Sequence, residues 1–128
     1  STDCLVVCAG TATTVDRLDA DGLFRGGLIL PGSDLMRSTL AQNTAQLPLA
    51  SGHYRELPRN TADAITSGCL QAQLGAIERM YAALAEVPGA VCLMTGGAAQ
   101  GLAGHLRAPS RLVENLVLEG LVRFMTSQ

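Results

Sequence analysis

An apolar run over residues 5–8 breaks at Ala9-Gly10-Thr11 and resumes as the Thr/Val-rich run of residues 12–18. Two extended segments joined by so short a link can only lie side by side as antiparallel strands, so the first eighteen residues commit the chain to a sheet. The link itself gathers backbone amides and a hydroxyl at one point, a combination suited to holding an anion. Asp19-Ala20-Asp21-Gly22 is a turn signal that sends the chain back into a third strand over residues 23–30, giving a meander. Gly26 and Gly27 inside that strand predict a bulge or a close approach to the backbone, and Pro31-Gly32 ends it.

Past the meander the period changes. Ser33 stands where it can cap a helix whose inward face would carry Leu35, Met36 and Leu40. Prolines, His53 and Tyr54 describe an irregular surface connection over about 46–59. Asn60-Thr61 then caps the longest helix, about 62–86, with Ile65, Cys69, Ala72, Ala76, Met80 and Ala83 at helical spacing. Gly68 and Gly75 cost that helix about 1 kcal/mol each relative to Ala, which the close approach of another helix would offset. Pro88-Gly89 stops it, residues 90–94 read as a buried strand, and Thr95-Gly96-Gly97 turns into a helix over 98–106. A short strand near Leu112-Val113 and a last helix over 116–125 complete the order. The pattern predicts an α/β layered fold with a mixed sheet and flanking helices, one domain over 1–128.

Composition removes several function classes. Nearly half the residues are hydrophobic (48%) and there is no Trp, so aliphatic residues must fill the core. All nine basic residues are Arg and none is Lys, which excludes P-loop chemistry. With a net charge of −2 and the arginines dispersed, no basic block exists to neutralise a nucleic-acid backbone. Cys4, Cys8, Cys69 and Cys92 show no zinc spacing. Cys4 and Cys8 on one strand would sit roughly 13 Å apart, beyond disulfide reach, so free thiols in a reducing compartment are expected. No apolar run approaches the roughly 20 residues of a membrane span, and no signal-like start is present, so a cytoplasmic location without a membrane partner is expected. The opening at Ser1-Thr2-Asp3, almost inside a strand, suggests a processed product or a fragment.

The phrase Val6-Val7-Cys8-Ala9-Gly10-Thr11-Ala12-Thr13-Thr14-Val15-Asp16, followed by Gly26-Gly27-Leu28-Ile29-Leu30-Pro31-Gly32, resembles the type III pantothenate kinases. Met36, Leu40, Thr44-Ala45-Gln46-Leu47-Pro48, Asn60-Thr61, Ser67-Gly68, Thr95-Gly96-Gly97 and Leu116-Val117-Leu118-Glu119-Gly120-Leu121 continue the match in order along essentially the whole chain. The resemblance implies a ribonuclease H-like domain of the acetate and sugar kinase, heat-shock chaperone and actin superfamily. It also implies ATP-dependent phosphorylation of pantothenate to 4'-phosphopantothenate, the first step of coenzyme A synthesis, with ATP carried as its magnesium complex. Gly10 and Thr11 would form the second phosphate loop, Gly96 and Gly97 the adenosine loop, and Thr61 a pantothenate contact. The long helix about 62–86 would lie at a homodimer interface.

The same resemblance implies that this chain is the C-terminal half of a two-domain kinase. The family's first phosphate loop, Asp-x-Gly-Asn-Thr, and the Gly-Ala-Asp-Arg motif holding its expected base both lie upstream, so no catalytic base is expected here and an isolated half should not turn over. Where the family places an Asp that coordinates potassium or ammonium, this chain has Cys8. A neutral thiol is a poor ligand for a hard cation. Two other readings compete: a regulatory accessory factor of the pantothenate kinase-like type that binds nucleotide with little turnover, and a phosphate-binding domain of another kinase in the superfamily. Local grounds alone make Thr61 a helix cap, Cys8 a small buried hydrophobe, His53 and His105 surface residues, and Arg25 and Arg37 solvated, while Asp16 either meets a cation or substrate or is an exposed strand residue.

Overall fold

A computed structural model describes residues 3–43 and 52–114. The expected helix over 116–125, its Leu116 to Leu121 phrase, and the Thr44 to Pro48 phrase lie outside the described residues. Strands β1 (Cys4–Ala9), β2 (Ala12–Leu18) and β3 (Phe24–Pro31) form the expected meander, with Ala9 opposite Thr13 and Ala12 opposite Pro31. Helices α1 (Ser33–Asn43) and α2 (Thr61–Ala82) follow, then β4 (Val91–Thr95), α3 (Ala99–Ala103) and β5 (Ser110–Leu112). The sheet order is β3-β2-β1-β4-β5, with β4 parallel to both β1 and β5. The mixed α/β architecture expected from the sequence is therefore present.

Alternation along β1 decides which side holds the core. Leu5, Val7 and Ala9 face one way and join Val15, Cys92 and Met94 with Leu74 and Ile77 of α2 and Leu102 of α3. Cys4 and Val6 face the other way and cluster with Leu18, against which Cys8, Leu93 and Val113 pack. All four cysteines are free. The Cys92 thiol is pushed up to about 11, first by burial and then by Glu78 and Cys4, so it is a core residue and not a nucleophile.

The glycine pair in β3 marks a bulge. Register shifts between Arg17 and Leu18, where Gly26 adopts φ +124°. A Cβ on Gly27 would meet Oδ1 of Asp16 at 2.0 Å, so the glycine makes room for that carboxylate. Burial raises the Asp16 carboxyl above its ordinary range, and the residue is half-buried, not an exposed strand position.

Several expectations about the helices need correction. Asn60 caps α2, its side chain accepting from the Asp63 N–H, and Thr61 is the first helical residue. The helix ends at Ala82, not near 86, because Leu84 N–H bonds Tyr81 O (2.7 Å) and Val87 N–H bonds Leu84 O (2.9 Å), tightening the chain and burying Leu84. Its inward face is Ile65, Cys69, Gln73, Leu74 and Ile77. Ala64, Gly68, Ala72 and Gly75 instead lie exposed along another face, and a Cβ on Gly68 or Gly75 would meet nothing within 4 Å. Helix α1 has no buried residue, with Leu35 and Leu40 both exposed. Nor are the two arginines merely solvated: Arg25 pairs with Asp19 at 2.9 Å and Arg37 with Asp34 at 2.6 Å. Helix α3 is shorter than the expected 98–106, with a turn at residues 104–105. Among the described residues no helix is long and apolar enough to cross a membrane.

Candidate functional site

Strands β1 and β4 are parallel neighbours, so the loops after Ala9 and after Thr95 leave the sheet at the same edge. Strand β3, two reversals from β1, ends at that edge too and delivers the start of α1. Carboxyl edges of parallel strands, where successive loops diverge, are where open α/β sheets hold ligands. Here the loops enclose a cleft of about 520 Å³ lined by Gly10, Thr11, Asp34, Leu35, Ser38, Gly97 and Ala98. Three of the residues expected at a nucleotide site, Gly10, Thr11 and Gly97, thus line one cavity although 87 positions separate the ends of the set. A second cavity of about 340 Å³ adjoins it, sharing Asp34, Gly97 and Ala98 and reaching Gln73, Leu102 and His105.

The loop glycines do different jobs. Gly96 has φ +104°, and a Cβ there would stand 2.2 Å from Ala9 O, so only glycine lets the β4 loop pack on the end of β1. Ala98 N–H then bonds Ala9 O at 3.1 Å. Gly97 carries no such demand: a Cβ would enter open space, and its absence leaves the cleft wall as bare backbone. Gly32 grips the first loop from the other side, its N–H bonding Thr11 O at 2.7 Å while a Cβ would lie 2.2 Å from Gly10 O. The Gly10 amide closes the turn onto Ala12 O (3.1 Å). Of the groups expected to face an anion, that leaves the exposed Thr11.

Two expected site residues lie elsewhere. Thr61 lines a separate apolar groove of about 580 Å³ between α1 and α2, with Pro31, Met36, Leu40, Ile65, Gly68 and Cys69. Cys8 sits opposite Thr14 and Thr95 on the sheet face away from α2 and packs on the Cys4, Val6, Leu18 cluster. A thiol set on an apolar cluster does not fit a hard monovalent cation, and Cys8 does not line the cleft. Among the described residues no group of three or more His, Cys, Asp or Glu could hold a metal. Asp34 and Ser38 were missed from sequence; the only signal was an acidic residue in the first turn of a helix that follows Pro31-Gly32. His105 is exposed as expected, but its ring packs against Tyr54, with centroids 4.3 Å apart and the planes tilted by 38°.

A mixed sheet presenting glycine-rich loops from adjacent parallel strands around one cleft defines an α/β protein with a candidate ligand site at the carboxyl edge of its sheet. The family profile of type III pantothenate kinase matches residues 1–83, and the chain belongs to that family. It is 64% identical over 118 residues to a type III pantothenate kinase of Aromatoleum aromaticum, covering 92% of this chain and 49% of the relative. To the type III pantothenate kinase of an Azoarcus species it is 62% identical, covering 92% and 45%. The chain therefore spans about half the length of the curated relatives it matches. A crystal structure from Campylobacter jejuni, described as a conserved Baf family transcriptional activator, superposes with a TM-score of 0.66 at 22% identity, covering 98% of this chain and 57% of that one; the likeness is one of fold.

Proposed function

We propose that the complete protein containing this chain transfers the γ-phosphate of ATP to pantothenate, and that this chain supplies the C-terminal, ribonuclease H-like half of the nucleotide site. The observation that carries the reading is the shared cleft of Gly10, Thr11 and Gly97 at one edge of the sheet. In it Gly10 and Thr11 form the second phosphate loop, with the Thr11 hydroxyl donating to a phosphate oxygen. Gly96 holds the adenosine loop against β1, and Gly97 leaves room for the nucleoside along the adjoining cavity. Asp34, exposed in the same cleft, offers the hard carboxylate oxygen that magnesium carried on ATP would take. Thr61 meets pantothenate from its own groove, and the exposed small residues Ala64, Gly68, Ala72 and Gly75 let a second copy of α2 approach closely in a homodimer. Neither a nucleic acid nor a membrane enters this reading, and the reaction is cytoplasmic.

Phosphoryl transfer rests on positioning and charge stabilisation from both walls of a cleft, and the acceptor's base belongs to the half of the family's kinases that this chain does not match. The monovalent cation of the family is left out of this reading because Cys8 offers no oxygen. The accessory-factor reading is not preferred, since the relatives that match over most of the chain are named kinases. The deciding experiment incubates the complete protein with magnesium ATP and pantothenate and follows 4'-phosphopantothenate. Turnover without added potassium or ammonium is expected; ATP binding without turnover would favour the accessory role, and turnover on a sugar or acetate instead would move the protein to another kinase class.

A further inference from the structure

Gln73 lies in the middle of α2 and is fully buried. A long amide carries two donors and an acceptor, and it is placed in a core only where these are met. Here the acceptor and one donor are spent on the two strands that flank the cleft loop. Its Oε1 accepts from the Thr13 hydroxyl on β2, and its Nε2 donates to Pro31 O at 2.7 Å at the end of β3, with the Met36 sulfur of α1 at 3.7 Å. Thr13 is two residues beyond Thr11. Pro31 directly precedes Gly32, whose N–H holds Thr11 O and whose bare Cα abuts Gly10 O.

Resting on the nucleotide role proposed for the Gly10-Thr11 loop, we infer that Gln73 is a positioning residue for that loop. One side chain ties the strand leaving the loop to the segment that braces it, and fixes both to α2. Backbone pairing between β2 and β3 aligns the strands along each other but does not set how far their ends stand from the helix layer. Gln73 sets that distance. Because α2 also begins at Thr61, a shift of the helix passes to the loop through this one amide. Gln73 acts through the loop, its amide oxygen and nitrogen being committed to Thr13 and Pro31.

The test uses the complete protein with ATP and pantothenate. Gln73→Met keeps the bulk and removes both hydrogen bonds; Gln73→Glu keeps an acceptor for Thr13 and loses the donor to Pro31; Ile77→Val is a core control that only destabilises. The expected result is a rise of about tenfold or more in the KM and dissociation constant for ATP in both Gln73 variants, with the KM for pantothenate within about twofold. Ile77→Val should lower the Tm while leaving ATP affinity unchanged. ATP affinity in Gln73→Met equal to that of the control would overturn the inference. If the Gln73 variants do not fold, Thr13→Val, which removes only the hydroxyl, is read instead, with about a threefold loss of ATP affinity expected and no loss overturning the inference. Absence of ATP binding by the unaltered protein would overturn the nucleotide reading and this inference with it. ATP binding that survives every substitution overturns the inference alone.

Discussion

At the scale of single residues, the glycines separate into those the backbone requires and those the cleft requires. Gly96 and Gly32 belong to the first kind, since a Cβ at either would run into the backbone of the β1 end or its loop. Gly97 belongs to the second. Gly96 and Gly97 stand together in the loop between β4 and α3, as predicted by the sequence. The sequence could not divide their work, because a strand-to-helix turn written Thr-Gly-Gly looks the same whichever glycine is strained. Gly96→Ala should cost about 1–3 kcal/mol through its φ of +104° and the contact with Ala9 O, read as a lower denaturant midpoint at unchanged slope. Cys8 shows the reverse case. Its lack of a ligand oxygen was plain from the sequence, while its place on the apolar sheet face away from α2 was not.

The element that organises the molecule is α2. Its start is set by Asn60 and Asp63, which bond each other's donors, Asp63 N–H to Asn60 Oδ1 and Asn60 Nδ2 to Asp63 Oδ2, both at 2.9 Å. The His53 N–H, then the Asn60 side chain, hold the Asp63 carboxyl below its ordinary value. A carboxylate with a lowered folded pKa stabilises the fold above its unfolded pKa, and that contribution is lost as pH falls through the folded value. Asp63→Asn should therefore lower the Tm at pH 7, and the gap from the unaltered protein should close as pH drops below about 4. Further along, Gly75→Ala puts a methyl into open space and should add about 1 kcal/mol to helix stability. If α2 pairs with a second copy, the same substitution should weaken the dimer in sedimentation equilibrium. A gain in stability with unchanged association would exclude that face as the interface.

For the whole molecule, the decisive fact is that the chain spans about half the length of the kinases it matches. The chain brings Gly10, Thr11, Gly97 and the carboxylate of Asp34 to one edge of the sheet. Incubated alone with magnesium ATP and pantothenate, the 128-residue chain should give no 4'-phosphopantothenate above background, whereas the complete protein should turn over. Product from the chain alone would show that its own residues suffice.

By itself the sequence determined the order of the elements among the described residues and the class of the fold. Alternation in β1 and β2, the turn at Asp19-Ala20-Asp21-Gly22 and the glycine bulge in β3 are local signals, written in neighbouring residues and readable one segment at a time. It also determined the family, because Gly10-Thr11 and Gly96-Gly97 sit in uncommon phrases. Only the tertiary structure decided which of these points meet. Parallel pairing of β1 with β4 brings the two loops to one edge, and no local pattern specifies that pairing. The inward face of α2 likewise follows the sheet it packs on and not its small-residue stripe, which turns Ala72 outward and Gln73 inward. A buried glutamine breaks the apolar pattern by which cores are read from sequence, so its bonds to Thr13 and Pro31, 60 and 42 positions away, became visible only once the strands were in place.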